Sequence, residues 1–399
     1  SFDPPHEWDQ VAVQLAWSNV RQQYDMAGFV EAYANASKTD PIQQCEAMGY
    51  FTSRDVPITS FLARHFCPCD HWHCPLPTST QPNRTMAFCG SSRIFDTSSG
   101  PRLIHTDDLL FDWLDRNGVD WRVYHDGLSF FALYPDAWKH VLGPRFRDFE
   151  NYFRDMQTEP APKDPQVIVV EPSYNDGPHI GPDHPNDNHP PAAIGWGEDF
   201  IRRTYQAATV NPMRWAKTVL LYYYDEHGGI FDHVPPQRIG YATRGNPAHV
   251  FESLGPRVSS IVASPFVEQG KPCSALFDHT SALQLLAELV TPGVPYSPDV
   301  AARKSQGIAS LSVALGTTPR VDIPIIPSAD IPIAGSLGKG VRLRPQNGLQ
   351  ASFELAASKL LDTHPAEMKQ KYPDLFQWRA SVDDLRRDAT APVSPEAKT

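Results

Sequence analysis

No stretch of this 399-residue chain reaches the ~18 consecutive apolar residues of a bilayer-spanning helix, so no transmembrane segment is expected. Positive charge is short. Lys and Arg number 35 against 46 Asp and Glu, for a net charge of -11 and a pI near 5.7. That balance argues against a nucleic-acid partner, because phosphate backbones want a basic face. No internal repeat is visible. The opening SFDPPHEWDQ has neither the basic region nor the apolar stretch of a signal peptide, as a mature, processed chain also would not. Cysteine is sparse: Cys45, Cys67, Cys69, Cys74, Cys89 and Cys273. Six thiols admit disulfides in an exported protein or buried thiols in a cytosolic enzyme. The expectation taken here is export, secreted or periplasmic.

What is present supports a packed core: hydrophobic residues make up 41% and charged residues 20%. At ~100–200 residues per domain the length fits two or three domains, or one large α/β domain with insertions. The 39 prolines, about twice average usage, predict long, stiff loops. Short apolar runs at 167–170 (VIVV), 219–224 (VLLYYY) and 258–262 (VSSIV) read as buried strands. Helical patterns at 107–117, 197–208 and 281–290 lie between or beside them. The fold class expected is therefore α/β, a mostly parallel central sheet flanked by helices, with loop insertions. In such sheets the chemistry gathers where strands end. Residues 172–191 are nearly all turn formers, and 317–349 read as an irregular excursion. A helical pattern begins near 352, and 391–399 read as a frayed end.

Five constellations stand at places where chemistry is expected. Residues 224–236 (YDEHGGIFDHVPP) group carboxylates and imidazoles around a Gly-Gly turn, and Asp225 and Glu226 suit a hard or borderline divalent cation. A solvated turn is the alternative. His189, within 186–191 (NDNHPP), is a histidine restrained by prolines, suited to a positioned acid or a phosphate donor, or an exposed turn. Residues 78–84 (TSTQPNR) offer a hydroxyl beside an arginine, although an ordinary N-cap explains the spacing as well. Residues 65–74 (HFCPCDHWHC) carry zinc-ligand types without the separated pairs of a structural site, which leaves buried thiols or a disulfide. Residues 277–281 (FDHTS) open an apolar helix, and capping accounts for Asp278 and Thr280.

Taken in order, PHEWDQ (5–10), DMAGFVEAY (25–33), MGYFTSRDVPITSFLARHF (48–66), TQPNR (80–84), NDNHPP (186–191), YYDEHGGIFDHVPP (223–236), GPRVSSIVASPFVEQG (255–270) and FDHTSALQLL (277–286) resemble one family. It is the phosphoesterase family of non-specific bacterial and plant phospholipases C and acid phosphatase A, which is alkaline phosphatase-like in fold. The resemblance implies a phosphoesterase domain over 1–350 and a C-terminal helical extension over 351–399. It makes Thr80 the covalent nucleophile and a metal ligand, Asp225 and Glu226 metal ligands of a divalent ion of unknown identity, and His189 the histidine that contacts the phosphoryl group or protonates the leaving oxygen. His6 matches another active-site histidine, and Arg84 falls where charge on the equatorial oxygens needs a partner.

One departure matters. The family normally begins with a strand and an E-N-R-S-F-D-H segment that supplies further ligands, and no E-N-R occurs here. Loss of a core strand would leave an unpaired sheet edge. The resemblance implies a phospholipase C-type hydrolase acting on phospholipid or a small phosphoester, with transient contact at a membrane surface admitted. An acid phosphatase acting on monoesters, and a degenerate member that binds phosphate without turnover, are the competing expectations. A lipid-facing mouth would expose aromatics, with Trp72, Trp196 and Phe231 the candidates and buried packing the alternative.

Overall fold

The apolar runs do form strands, but they pair into more than one sheet. The structure is a computed structural model that describes residues 3–37, 43–97, 100–158, 165–178, 180–181, 184–326, 331 and 347–390. Most of the 317–349 excursion and the 391–399 tail lie outside the described residues. Six strands matter for the site: β1 (Cys67–Pro68), β2 (Trp121–His125), β3 (Phe146–Asp148), β4 (Val167–Glu171), β5 (Leu220–Tyr223) and β6 (Ser260–Ala263). One sheet has the order β3–β2–β4 and is parallel throughout, with Val123 opposite both Phe146 and Val169. The other has the order β1–β6–β5 and is antiparallel, with Ile261 between Pro68 and Tyr222. Two short hairpins pair Trp17–Ser18 with Gln23–Tyr24 and Tyr241–Ala242 with Val250–Phe251, and isolated bridges join Cys69 to Cys273, Trp72 to Phe277 and His73 to Arg257.

The molecule is thus mixed α/β, and the parallel expectation holds for three strands only. The 258–262 run corrects it, because that strand lies antiparallel to β5. A parallel connection needs a crossover, usually helical. The segment joining β5 to β6 instead contains a hairpin and no helix. Apolar runs show burial but not direction.

The central strands β2 and β6 are buried at every position, whereas β4 and β5 are largely half-buried. Among the described residues β4 pairs only with β2 and β5 only with β6, so each presents an open edge. Helix α3 (Ile194–Thr209) lies over both sheets. Its Ile201, Tyr205 and Ala208 join the cluster against Leu220–Tyr224, and its Ala207 and Phe200 pack with Ile168 and Val170 of β4. Four other helices frame the site and core: α1 (Trp8–Leu15), α2 (Thr80–Cys89), α4 (Thr280–Val290) and α5 (Gly348–Thr363). The largest core cluster joins Phe111, Trp121, Phe130 and Phe131 to Leu283 of α4 and to Phe353, Ala356 and Leu360 of α5.

Candidate active site

Helix α2 opens at Thr80 behind Ser79, which has the extended backbone of an N-cap. Pro82 sits in the first turn, where no intrahelical donor is lost. The Asn83 side chain accepts from Leu76 N at 2.9 Å and donates to Thr78 O at 2.7 Å, tying the approach to the helix. Thr80 is 5% exposed, and its hydroxyl makes no hydrogen bond among the described residues. It therefore stands uncommitted at a helix N-terminus, where the dipole favours developing negative charge. Arg84 lies one turn further on the same helix face. It donates to Tyr174 Oη at 2.6 Å and to Glu171 Oε1 at 3.5 Å, and its Nη1 lies 3.9 Å from Asp225 Oδ2. One guanidinium thus links α2, the end of β4 and the turn after β5.

A second link brings in the N-terminal histidine. Glu7, next to His6, accepts from Ser79 Oγ at 2.7 Å and from Thr97 N at 3.0 Å. His6 Nδ1 lies 2.6 Å from Pro4 O, and His189 Nδ1 lies 2.7 Å from Pro190 O. A carbonyl only accepts, so each Nδ1 carries its hydrogen and each Nε2 is the ring atom left for a ligand. The two rings are 5.3 Å apart, edge to face.

The Gly-Gly turn seats both histidine segments. Gly228 and Gly229 have φ of 64° and 72°. A Cβ at Gly229 would lie 2.7 Å from Pro4 Cβ and 2.8 Å from Pro5 O, and one at Gly228 would lie 3.3 Å from Pro190 Cγ. Only glycine allows both the left-handed turn and this approach. Glu226 is buried. It accepts from Gly228 N at 2.6 Å, and Asp225 Oδ1 accepts from Glu226 N at 3.1 Å.

Electrostatically, acids outweigh the local bases. Burial works against the charged form of His6, but Glu226 and Asp3 raise it to about 9. His189 goes up to about 10 against the same penalty, under Asp176, Asp3, Glu226 and Asp187. Burial also pushes the Glu226 carboxyl upward, and Asp187 to about 6. His227, beside Glu226, falls to about 3 through burial and the neighbouring His6. Burial opposes the Arg84 charge too, but Tyr174, Asp225 and Glu171 keep that charge firmly in place.

These contacts bring Thr80, Arg84, His6, His189, Asp225 and Glu226 into one connected neighbourhood. Several other members escaped sequence reasoning. Glu171 is a fully buried acid ending a strand, a position the VIVV run itself marked. Asp3, His6 and His189 each offer a ligand atom within 4.8 Å of the others, the one such group of His, Cys, Asp or Glu among the described residues. Asp3 Oδ1, Arg84 Nε, both Gln81 amide atoms and His227 Nδ1 are buried without a hydrogen-bond partner. Two adjacent carboxylates, one of them buried, supply the hard oxygen donors that suit a divalent cation.

Outside the site, Trp72 is fully buried and packs against Tyr223 and Phe277, so it is not a lipid-facing aromatic. Trp196 stacks on His184 at 4.3 Å and Phe231 packs on Phe29 at 5.4 Å, both half-buried. Cys67, Cys69, Cys74, Cys89 and Cys273 are all free thiols. The Cys45 side chain lies outside the described residues.

Comparison with known proteins adds three findings. A model of the Phosphoesterase family matches residues 1–291. The chain is 31% identical to the hemolytic phospholipase C of Pseudomonas aeruginosa, over 71% of this chain and 45% of that protein. It is 30% identical to phospholipase C A of Mycobacterium tuberculosis, over 84% and 68%, and 27% identical to non-specific phospholipase C6 of Arabidopsis thaliana, over 81% and 63%. The chain therefore spans less than half the length of the first relative and about two thirds of the other two. Likeness to solved structures is distant. The lipoteichoic acid synthase LtaP of Listeria monocytogenes gives a TM-score of 0.33 at 12% identity, over 61% of this chain and 69% of that one.

Proposed function

The chain belongs to the Phosphoesterase family, and from that premise we propose that it is a metal-dependent phosphoester hydrolase of the phospholipase C type, with an alkaline phosphatase-like fold, cleaving glycerophospholipids through a phospho-threonine intermediate on Thr80. The observation that carries the reading is the arrangement on α2. An uncommitted, buried hydroxyl stands at the helix N-terminus, and on the same face an arginine lies 3.9 Å from Asp225. The names of the relatives support phospholipid as the substrate.

Asp225 and Glu226, with Thr80, are the residues that would hold the cation. When bound it supplies a Lewis acid that lowers the pKa of the nucleophile and neutralises phosphoryl charge. The rest falls to this chain's own groups. Thr80 releases its hydroxyl proton to solvent as its oxygen attacks phosphorus, and the bond from phosphorus to the diacylglycerol oxygen breaks. His189, held as imidazolium by Asp176 and Asp3, gives the departing oxygen its proton. Arg84 and His6 stabilise charge on the equatorial oxygens. Water then attacks the phospho-threonine, the Thr80 oxygen leaves with the proton that water gives up, and His189 takes a proton back from solvent. Export from the cytoplasm and brief contact with a membrane surface belong to the same proposal.

The test compares Thr80→Ala with the parent chain on bis-p-nitrophenyl phosphate and p-nitrophenyl phosphate. Loss of the nucleophile is expected to lower diester turnover by at least ~10³-fold with an unchanged circular dichroism spectrum. Near-normal diester turnover in the variant would refute the assignment. A parent chain faster on the monoester would turn the reading to an acid phosphatase. No turnover of either ester by the metal-loaded parent would turn it to a phosphate-binding relative without activity.

A further inference from the structure

Two of the constellations singled out in the sequence, the run at 65–74 and FDHTS at 277–281, have no part in the chemistry above. The fold joins them to each other, and then to Asp225. Trp72 Nε1 lies 3.0 Å from His279 Nδ1. An indole nitrogen only donates, so Nδ1 of His279 is the acceptor and its Nε2 carries the ring hydrogen. That Nε2 lies 2.8 Å from the main-chain oxygen of Asp225 and donates to it. Trp72 and His279 are both fully buried, so water does not compete for either bond.

The frame around this chain of bonds is tight. Phe277 N donates to His71 O at 3.0 Å, His73 N donates to Phe277 O at 2.9 Å, and Val258 N donates to Trp72 O at 2.9 Å. The Trp72 ring packs 5.2 Å from Tyr223 and the His279 ring 4.7 Å from it. Tyr223 is the last residue of β5. The backbone leaves the sheet just there, and Asp225 is the second residue beyond it. A carbonyl anchored at that point limits the peptide rotation that would swing the Asp225 carboxylate away from Glu226 N and Arg84, its contacts at 3.1 Å and 3.9 Å.

We propose that Trp72 and His279 act as positioning residues, fixing the Asp225 peptide so that its carboxylate is presented to the divalent cation in the required direction. The proposal rests on Asp225 being a ligand, as argued above. Outer partners of a metal ligand typically alter affinity by about 10–100-fold when removed, and this pair acts through the main chain of the ligand residue.

Mn²⁺ alone, titrated calorimetrically into the full chain, is the probe, with kcat and KM on bis-p-nitrophenyl phosphate and thermal unfolding measured alongside. His279→Leu is expected to weaken Mn²⁺ binding about 10–100-fold and to lower kcat more than it raises KM. His279→Gln, whose side-chain amide donates from nearly the same place, is expected to recover to within ~5-fold of the parent. Trp72→Phe keeps the ring, releases the tautomer, and is expected to fall between them. Parent-like Mn²⁺ affinity in His279→Leu overturns the proposal, as does a Gln variant no better than the Leu variant. If His279→Leu does not fold, Trp72→Phe decides, and parent affinity there overturns the relay. Asp225→Asn separates the two levels. Parent affinity in that variant removes Asp225 from the ligand set and the relay with it, whereas lost affinity there with normal affinity in His279→Leu sinks the relay alone.

Discussion

Arg84→Met tests the link between α2 and the two strand ends. The arginine side chain is 14% exposed and that of Glu171 1%. Removing the guanidinium leaves the Glu171 carboxylate buried without its cation and takes away the donor to Tyr174 Oη, whose own bond to Glu171 remains. It also removes the charge lying 4.4 Å over the Phe130 ring. Breaking a buried pair by deleting one member costs about 3–5 kcal/mol. Glu171 keeps bonds from Ser129 Oγ, Phe130 N and Tyr174 Oη, which places the expectation near the lower end, about 3 kcal/mol. Methionine fills most of the vacated volume, so a cavity adds little. The informative variant is Arg84→Met with Glu171→Gln, which removes the stranded charge. It is expected to recover about 2 kcal/mol relative to the sum of the single changes. Burial already raises the Glu171 carboxyl. Without Arg84 it rises further and takes up a proton in the folded state, so the destabilisation should shrink as pH falls from 7 to 5. Urea unfolding followed by tryptophan fluorescence reads all four stabilities. An Arg84→Met chain within about 0.5 kcal/mol of the parent, or strictly additive changes, would refute the reasoning.

Three other outcomes follow from separate parts of the molecule. Gly229→Ala places a Cβ 2.7 Å from Pro4 Cβ at a φ of 72°, and about 2–4 kcal/mol of destabilisation is expected from the strain and the displaced segment. Gly228→Ala, whose nearest new contact is 3.3 Å, should cost less, and equal melting temperatures for the two would contradict the geometry. His125 is buried and neutral, pushed down to about 4 by burial, with Nδ1 2.8 Å from Gly127 O. Its folded pKa lies below the unfolded 6.5, so its contribution is intact above pH 6.5 and is lost as pH falls toward 4. His125→Asn retains a donor for Gly127 and should reduce the stability lost between pH 6.5 and 4.5 by about 2–3 kcal/mol, whereas an unchanged acid limb would contradict this.

The site was legible wherever residue types declared their own chemistry. Asp225 and Glu226 beside Gly-Gly, and His189 between polar and proline residues, marked themselves by composition. On spacing alone Thr80 reads first as an ordinary helix start, and it does start a helix. The hydroxyl there stands out only with the resemblance and with Arg84 on the same face. Direction and pairing were not legible. The VIVV and VLLYYY runs announce buried strands, yet nothing in them says that β4 and β5 end their sheets while β6 runs antiparallel. Long-range partners were invisible for the same reason. Glu171 and Arg84 are 87 residues apart, and Trp72 and His279 are 207 apart, with no periodicity to join them. His279 looked like part of a cap because a cap explains its neighbours, and its own bonds appear only in three dimensions.

The most direct test of the central claim is a crystal structure grown with Mn²⁺ and orthovanadate, with the metal located by its anomalous scattering. One peak is expected, with Asp225, Glu226 and Thr80 oxygens within about 2.0–2.6 Å and vanadium on the Thr80 side. A peak held instead by Asp3, His6 and His189, with the Thr80 oxygen beyond about 10 Å, far outside any ligation distance, would contradict it.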